Sequence, residues 1–330
     1  MRHIELLGVP YTSMAAPGGI ADGICALRTA GLLERLTKAA DVIDAGDLDL
    51  EEPSGRRGPA QLLNEAALVH LFHATREAVA ATLERDRLPL LVGGDCPALL
   101  GPLAALRDRH GEAALLMLDG HEDAWPPQLS PTGEASDSEI AIALGLVSSL
   151  PAGLAAALPL VAPEAIAMLG PRDAAELAGA GVASLGGCVG LFLGDGAVHD
   201  RGLANAAAEG LDLVRRAAPA FWLHVDLDVL RTDEFPAATR EAGARRINYE
   251  VLGNGWHHLH GHVHPRYEWE PRDKIAFPVW RYPDDLRNAP EHEYDDERHG
   301  ELRALITHEL GRVMRDAYAE LDASRLANPS

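Results

Sequence analysis

The sequence predicts an α/β fold built on a doubly wound, mostly parallel sheet, and three apolar runs carry that expectation. Pro89–Val92 (PLLV), Leu115–Leu118 (LLML) and Phe221–Val225 (FWLHV) are short and close abruptly on polar residues. Such runs read as strands buried on both faces, as in parallel sheets, rather than as half-solvated antiparallel strands. Helical spacing fills the intervals between them, and strand–helix alternation implies βαβ units. Open sheets of this class take their ligands outside the carboxyl ends of the strands.

In chain order, Ile4–Val9 reads as the first strand, followed by the Gly/Pro-rich loop Pro10–Gly19. Ala26–Ala39 has helical apolar spacing through Leu27, Leu32, Leu33 and Leu36. Asp41–Ala45 is a second strand that ends in the acidic loop Gly46–Glu52. A long helix over Ala60–Leu83 feeds the strand before Gly93, and Pro97–Arg109 reads as the helix after it. Beyond Asp123 a loop runs through Trp125 to SPTGE (Ser130–Glu134), then Ala135–Leu150 reads as helix. Leu154–Leu160 is an ordinary helix face, Glu164–Leu169 a strand, and Leu203–Arg216 an amphipathic helix.

Composition bounds the function classes. A chain of 330 residues buries a substantial core as one large domain or two smaller ones. A net charge of −21 disfavours a nucleic acid polymer or an anionic membrane as partner, because either is repelled. Cys25, Cys96 and Cys188 are too few and too scattered for a disulfide framework, which fits a reducing compartment. With no leader pattern and no apolar run of membrane length, a cytoplasmic location is expected. A homo-oligomer is compatible with all of this, and the sequence leaves the oligomeric state open.

The chemistry concentrates in Leu115–Asp123, LLMLDGHED. Asp119, His121 and Asp123 alternate, so in an extended chain their side chains point the same way. Two carboxylates and an imidazole at a strand end suit Mn²⁺ or Zn²⁺. A polar loop with a solvated acid pair is the other reading. PLLVGGDC (Pro89–Cys96) adds Asp95 and Cys96 after a Gly-Gly turn, and FWLHVDLD (Phe221–Asp228) adds Asp226 and Asp228 at the same alternating spacing.

These motifs together resemble the arginase (ureohydrolase) family over about residues 1–237. The family's Gly-Gly-Asp-His turn stands here as GGDC (Gly93–Cys96), its Asp-Ala-His-x-Asp motif as DGHED (Asp119–Asp123), and its Asp-x-Asp-x-x-Asp-Pro motif as DLDVLRT (Asp226–Thr232). The resemblance implies a hydrolase of C–N bonds in a small guanidino or amidine substrate, with two Mn²⁺ ions that activate water toward the substrate's trigonal carbon. It implies Asp119, His121, Asp123, Asp226 and Asp228 as metal ligands, Cys96 as a further one, and Asp123 and His121 in catalysis.

The departures from the family pattern carry expectations of their own. Cys96 stands where the family has a ligand histidine, and a thiolate suits Zn²⁺ or Fe²⁺ better than Mn²⁺. Arg231 and Thr232 replace the third aspartate and the proline. Ala135, Ser136 and Asp137 occupy the stretch where the family carries a catalytic histidine, near a loop that in the family holds substrate. The family's sheet also continues with a strand carrying a glutamate, and no such βαβ unit follows Asp228, so the sheet is expected to lack its last strand.

After Pro236 the Ala/Leu texture gives way to Trp, Tyr, His, Pro and charge, with a polar junction over Ala237–Arg246. His258, His260 and His262 alternate, setting three imidazoles on one face of a strand. One neutral imidazole between two others can attack phosphorus; a metal-binding or solvated histidine tract is the other reading. The stretch resembles the back half of a histidine-triad domain, a family of nucleotide hydrolases and transferases. That match implies His260 as nucleophile, Asn248 as its polar partner, and an appended antiparallel α+β segment over 247–330. Ile247–Leu252 is then expected to pair with Leu259–His264 as a hairpin outside the main sheet. Three functions follow: a metal-dependent C–N hydrolase, intact or impaired by its departures; a nucleotide hydrolase or transferase acting through His260; and an inactive metal-binding fusion remnant.

Overall fold

In the computed structural model, which describes residues 3–17, 19–230, 244–252 and 260–267, the chain divides after Ala238 into two units. The first unit opens with β1 (His3–Gly8), α1 (Gly23–Thr29), α2 (Leu32–Thr37) and β2 (Asp41–Asp47). It continues with α3 (Glu65–Glu84), β3 (Leu88–Val92), α4 (Leu100–His110) and β4 (Ala114–Leu118). Then come α5 (Glu139–Ala143), α6 (Ala152–Ala155), β5 (Ile166–Gly170) and α7 (Ala174–Gly179). β6 (Leu191–Gly194), α8 (Asp195–Arg201), α9 (Leu203–Ala217) and β7 (Phe221–Val225) complete it. In the second unit, β8 (Ala244–Leu252) pairs antiparallel with β9 (His260–Tyr267), with Asn248 opposite His264 and Leu252 opposite His260.

All strand pairs of the first unit are parallel among the described residues. They form two sheets, in the orders β2-β1-β3 and β6-β5-β4-β7. No ladder joins β3 to β7 among the described residues, so the sheet is interrupted next to the strand that carries Asp226 and Asp228.

β4 is sequestered because it lies between β5 and β7 and under helices: Ala114, Leu115 and Met117 are fully buried. Leu68, Leu71 and Phe72 of α3 and Leu100 and Leu103 of α4 share that core. Truncating such a leucine to alanine typically costs about 2–5 kcal/mol. The two helices approach closely at Gly101, where an added Cβ would meet Thr75 Oγ1 at 2.0 Å and the Phe72 carbonyl at 2.7 Å. Only glycine fits that crossing.

Where the elements differ from the sequence reading, local hydrogen bonding explains it. The helix expected over Ala26–Ala39 is two helices, separated at Gly31, whose φ is +86°. The long helix starts at Glu65 rather than Ala60, because Asn64 adopts a left-handed φ of +56° and commits its side chain to loops. Its Oδ1 accepts from Gly55 N at 2.8 Å and its Nδ2 donates to Met14 O at 2.8 Å. The helix expected over Ala135–Leu150 shrinks to a 3₁₀ turn at Ala135–Asp137 and the short α5. α6 stops well short of Leu160, since Pro159 lacks the amide a continuing helix needs. β6 and α8 have no counterpart in that reading; the glycines flanking LFLG hide the strand.

Glu5, on the central strand β1, is 5% exposed. It accepts hydrogen bonds from Thr82 Oγ1 at 3.1 Å and from the Arg85 guanidinium, whose Nε lies at 3.1 Å. The Arg85 hydrogen bonds hold its carboxyl below the usual glutamate value of 4.5, against the opposing effect of burial. A depressed carboxyl stabilises the fold above its ordinary pKa, and that contribution disappears as pH falls through the folded-state value. Glu5→Gln is therefore expected to cost about 1–3 kcal/mol at neutral pH, with the difference shrinking in acid. Native-state hydrogen exchange of the β1 amides at neutral and acid pH measures both.

Candidate metal centre

The register of two parallel strands builds the site. Leu118 of β4 lies opposite Val225 of β7, so the next residues, Asp119 and Asp226, leave the sheet side by side at its carboxyl edge. Asp226 N donates to Leu118 O at 2.9 Å and Asp119 N to Leu169 O at 3.1 Å, which continues the ladders one residue past each strand. On β7 the alternation leaves Leu223, Val225 and Leu227 exposed and turns His224, Asp226 and Asp228 inward. Asp226 Oδ1 accepts from Asp228 N at 2.7 Å, opening a 3₁₀ turn at Leu227–Val229.

Past Leu118 the chain is no longer extended. Asp119 Oδ1 accepts from His121 N at 2.8 Å, and Gly120 N donates to Asp228 Oδ1 at 2.9 Å. Asp123 has a left-handed φ of +47°. Asp119 and His121 therefore converge through a turn, and strand alternation operates only on the β7 side. His121 Nδ1 lies 2.8 Å from Asp228 Oδ2 and 3.8 Å from Asp119 Oδ1.

Cys96 arrives from the other sheet. After β3 the chain turns at Gly93 and Gly94; Gly94 has a φ of +76°, and a Cβ there would sit 2.4 Å from Val9 O. Asp95 anchors the turn, accepting from Ser13 N at 2.8 Å and Cys96 N at 3.1 Å. The Cys96 thiol donates to Asp226 Oδ2 at 3.1 Å. One ligand atom from each of Cys96, Asp119, His224 and Asp226 lies within 4.8 Å of the others, and so do those of Asp119, His121 and Asp228. Asp119 belongs to both groups.

Behind these lies Glu139, the first residue of α5, fully buried beside Asp123. α5 also fixes the Asp123 backbone, since Ile140 N and Ala141 N donate to Asp123 O at 3.2 and 3.3 Å. Burial pushes the Asp123 and Glu139 carboxyls well up, with the charge of Asp119 adding to the effect on Asp123 and that of Asp123 to the effect on Glu139. Burial likewise raises Asp119 and Asp95, and it raises the Cys96 thiol, with the surrounding carboxylates adding to the effect. Its hydrogen bond to the Asp228 carboxylate lifts His121 to about 9. Burial alone would raise Asp228, but the His121 contact draws it below the usual range.

Buried polar atoms here are left over. Asp119 Oδ2, Asp123 Oδ2, both Glu139 carboxyl oxygens and His224 Nε2 are buried without a hydrogen-bond partner. Orphaned acceptors of this kind are costly, and a cluster of them beside a thiol and two imidazoles fits the donor set of a divalent cation.

The neighbouring loop is tied by Asp137, in the stretch where the sequence comparison leaves out a histidine. Asp137 Oδ2 accepts from Ser130 Oγ at 2.5 Å and Thr132 Oγ1 at 2.6 Å, and Asp137 O from Trp125 N at 2.9 Å. Arg57 Nη2 donates to the Ser130 and Pro131 carbonyls at 3.1 Å. Asp137 thus shapes this loop.

Two residues of the cluster, His224 and Glu139, escape the motif reading. The signal for His224 was its place two residues before Asp226, continuing the inward row. For Glu139 it was a lone carboxylate heading the apolar run IAIAL. Of the second unit, His260 opens β9, with its side chain outside the described residues; Arg231, Thr232 and His258 lie outside them altogether, as does most of the polar junction Ala237–Arg246.

Because the cluster holds more buried anionic donors than cations, an added divalent ion is expected to stabilise the fold. At about 100 times its Kd, binding adds about 2.7 kcal/mol to the unfolding free energy. Thermal denaturation of the chelator-treated chain with and without Mn²⁺ or Zn²⁺ measures this, and Asp119→Asn should abolish most of the shift.

Comparison with known proteins gives the family and the fold. The model of the arginase family matches residues 2–244. The arginase of Bacillus caldovelox is 30% identical over 148 residues, covering 44% of this chain and 50% of that protein. Arginase-1 of Bos taurus is 27% identical over 145 residues, covering 43% and 45%. The chain thus spans about half the length of the curated relatives it matches. The solved Bacillus caldovelox arginase superposes with a TM-score of 0.62 at 24% identity, covering 72% of this chain and 79% of that one. Formimidoylglutamase from Bacillus subtilis superposes with a TM-score of 0.52 at 19% identity, covering 72% and 68%. Both likenesses speak to the fold, a parallel α/β architecture. By the extent of the family match and the order of its motifs, the chain belongs to the arginase family.

Proposed function

We propose that residues 1–237 form a metal-dependent hydrolase that cleaves a C–N bond in a guanidino or amidine group of a small substrate. The observation that carries this reading is the position of Asp119, shared between Cys96, His224 and Asp226 on one side and His121 and Asp228 on the other. That arrangement supports a centre for two ions, with Asp123 beside it. Mn²⁺ is the ion the family resemblance implies, and Zn²⁺ or Fe²⁺ is favoured where Cys96 contributes. When bound, such ions lower the pKa of a nearby water and orient it toward the substrate's trigonal carbon.

The chain's own residues do the rest. Asp119 and Asp226 are held at the sheet edge by ladder hydrogen bonds and need no reorganisation to act. Hydrolysis places the water's OH on the trigonal carbon and its remaining proton on the leaving nitrogen. Asp123 Oδ2, buried and unpartnered, is the acceptor suited to carry that proton. His121, hydrogen-bonded to Asp228, is a partly exposed member of the cluster. The loop secured by Asp137 borders the site where the substrate's remainder would sit. Cys96 in place of a histidine, and Ser136 and Asp137 in place of a catalytic one, weaken Mn²⁺ binding and proton transfer, so the activity is expected to be slow.

The test is product release by the metal-loaded full chain from arginine, agmatine and a formimidoyl amino acid, measured as urea or formamide. One of these substrates should turn over, and Asp119→Asn should reduce the rate by roughly 100-fold or more, as removal of a group acting with the metal does. A chain that binds its ions yet releases neither product from any of the three would sink the reading.

A further inference from the structure

We propose that the two halves of the centre are chemically different, and that Cys96 and His224 make one half a thiolate–imidazole site that selects Zn²⁺ over Mn²⁺. The inference rests on the reading that the cluster holds metal, and it adds His224 as a ligand. The family's histidine is absent from the Gly93–Cys96 turn, but an imidazole returns from the neighbouring strand. His224 stands two residues before Asp226 on the inward row of β7, with its Nε2 buried, unpartnered and 3.6 Å from Asp119 Oδ2. On the opposite flank, Cys96 Sγ lies 3.1 Å from Asp226 Oδ2.

The distances match a small tetrahedral ion. Zinc bonds of about 2.0–2.1 Å to nitrogen and oxygen and about 2.3 Å to sulfur put neighbouring donors roughly 3.3–3.7 Å apart around a tetrahedron. The four donors of Cys96, Asp119, His224 and Asp226 already lie within 4.8 Å of one another, with the two measured edges at 3.1 and 3.6 Å. The donor set is one sulfur, one nitrogen and two oxygens. A thiolate favours Zn²⁺ and suits Mn²⁺ poorly.

The other half differs in kind. His121 and Asp228 offer nitrogen and oxygen only, and their side chains are 42% and 33% exposed. The guanidinium of Arg172 is hydrogen-bonded to the Asp228 carbonyl, which places a fixed positive charge beside that half. It should bind more weakly and accept Mn²⁺. The centre is therefore expected to take one tightly held Zn²⁺ and one exchangeable ion.

The experiment uses the full chain, stripped of metal and titrated with Zn²⁺, Mn²⁺ and Co²⁺ separately. The first equivalent of Co²⁺ should produce a thiolate-to-metal charge-transfer absorption, and Zn²⁺ should displace it while excess Mn²⁺ does not. Zinc-edge X-ray absorption of the wild-type protein should show one sulfur with imidazole nitrogen in the coordination shell; this readout does not depend on any variant folding. Cys96→Ser should remove the absorption, and Cys96→Ser and His224→Gln should each weaken Zn²⁺ by roughly 100-fold or more, beyond the about 10–100-fold that loss of a group merely supporting a ligand costs. Mn²⁺ binding at the other half should stay within a few-fold. Unchanged Zn²⁺ affinity in a folded His224→Gln protein, or a sulfur-free zinc shell, overturns the inference. Two equivalents of Mn²⁺ with no thiolate absorption overturn it too while leaving the hydrolase reading intact, whereas no binding of any of the three ions defeats both.

Discussion

Everything in the candidate centre depends on the parallel pairing of β4 with β7. With Leu118 opposite Val225, two chain segments separated by more than a hundred residues deliver aspartates at the same height on the same edge. Were the register to slip by one residue, the inward row His224, Asp226, Asp228 would turn outward and Leu223, Val225 and Leu227 would turn in. The neighbours lock that register from both sides. β5 holds β4 through ladder bonds, and α9 covers β4 and β5 with Ala206, Gly210 and Val214. The apolar core thus works as a jig for charged groups that would not gather on their own.

Gathering them has an electrostatic consequence that runs through the local structure. The carboxylates of Glu139, Asp123, Asp226 and Asp95 add to the burial that raises the Cys96 thiol, and the main-chain amides nearby donate to the cluster: His121 N to Asp119, Gly120 N to Asp228, Asp228 N to Asp226, Cys96 N to Asp95. Each amide is supplied by the residue one or two positions after a carboxylate, or by the facing turn. This network satisfies one oxygen of Asp119 and leaves its Oδ2 without a partner, like Asp123 Oδ2 and both Glu139 oxygens. A positively charged occupant is the simplest way to relieve the remainder.

Much of this was legible in the sequence, for a specific reason. Strands of a parallel sheet tend to be apolar on both faces, so the polar residues after PLLV, LLML and FWLHV mark their ends. Of the three, only LLML is largely buried, and Leu223 and Val225 of FWLHV are exposed. Other features were less legible because they depend on partners far along the chain. Asn64 breaks the expected start of a helix only because Met14 O is there to accept from its Nδ2 and Gly55 N to donate to its Oδ1. α5 starts late because the residues before it serve the Asp137-tied loop. Glu139 looks like an ordinary helix-start acid until Asp123 is seen beside it, and His224 looks like a polar interruption of a strand until the inward row is traced. Alternation from Asp119 to Asp123 was the right clue for the wrong geometry, because the chain turns there.

The seating of α3 against α4 bears on the thiol at a distance. Cys96 begins the 3₁₀ turn that runs directly into α4, so its sulfur travels with that helix as a rigid extension. Gly101, one turn further along, sets how deeply α4 sinks against Thr75 and Phe72. The helix is thus a lever whose fulcrum is a missing side chain. Variation at residue 101, on the far side of the helix crossing, would move Sγ relative to Asp226 without touching either residue.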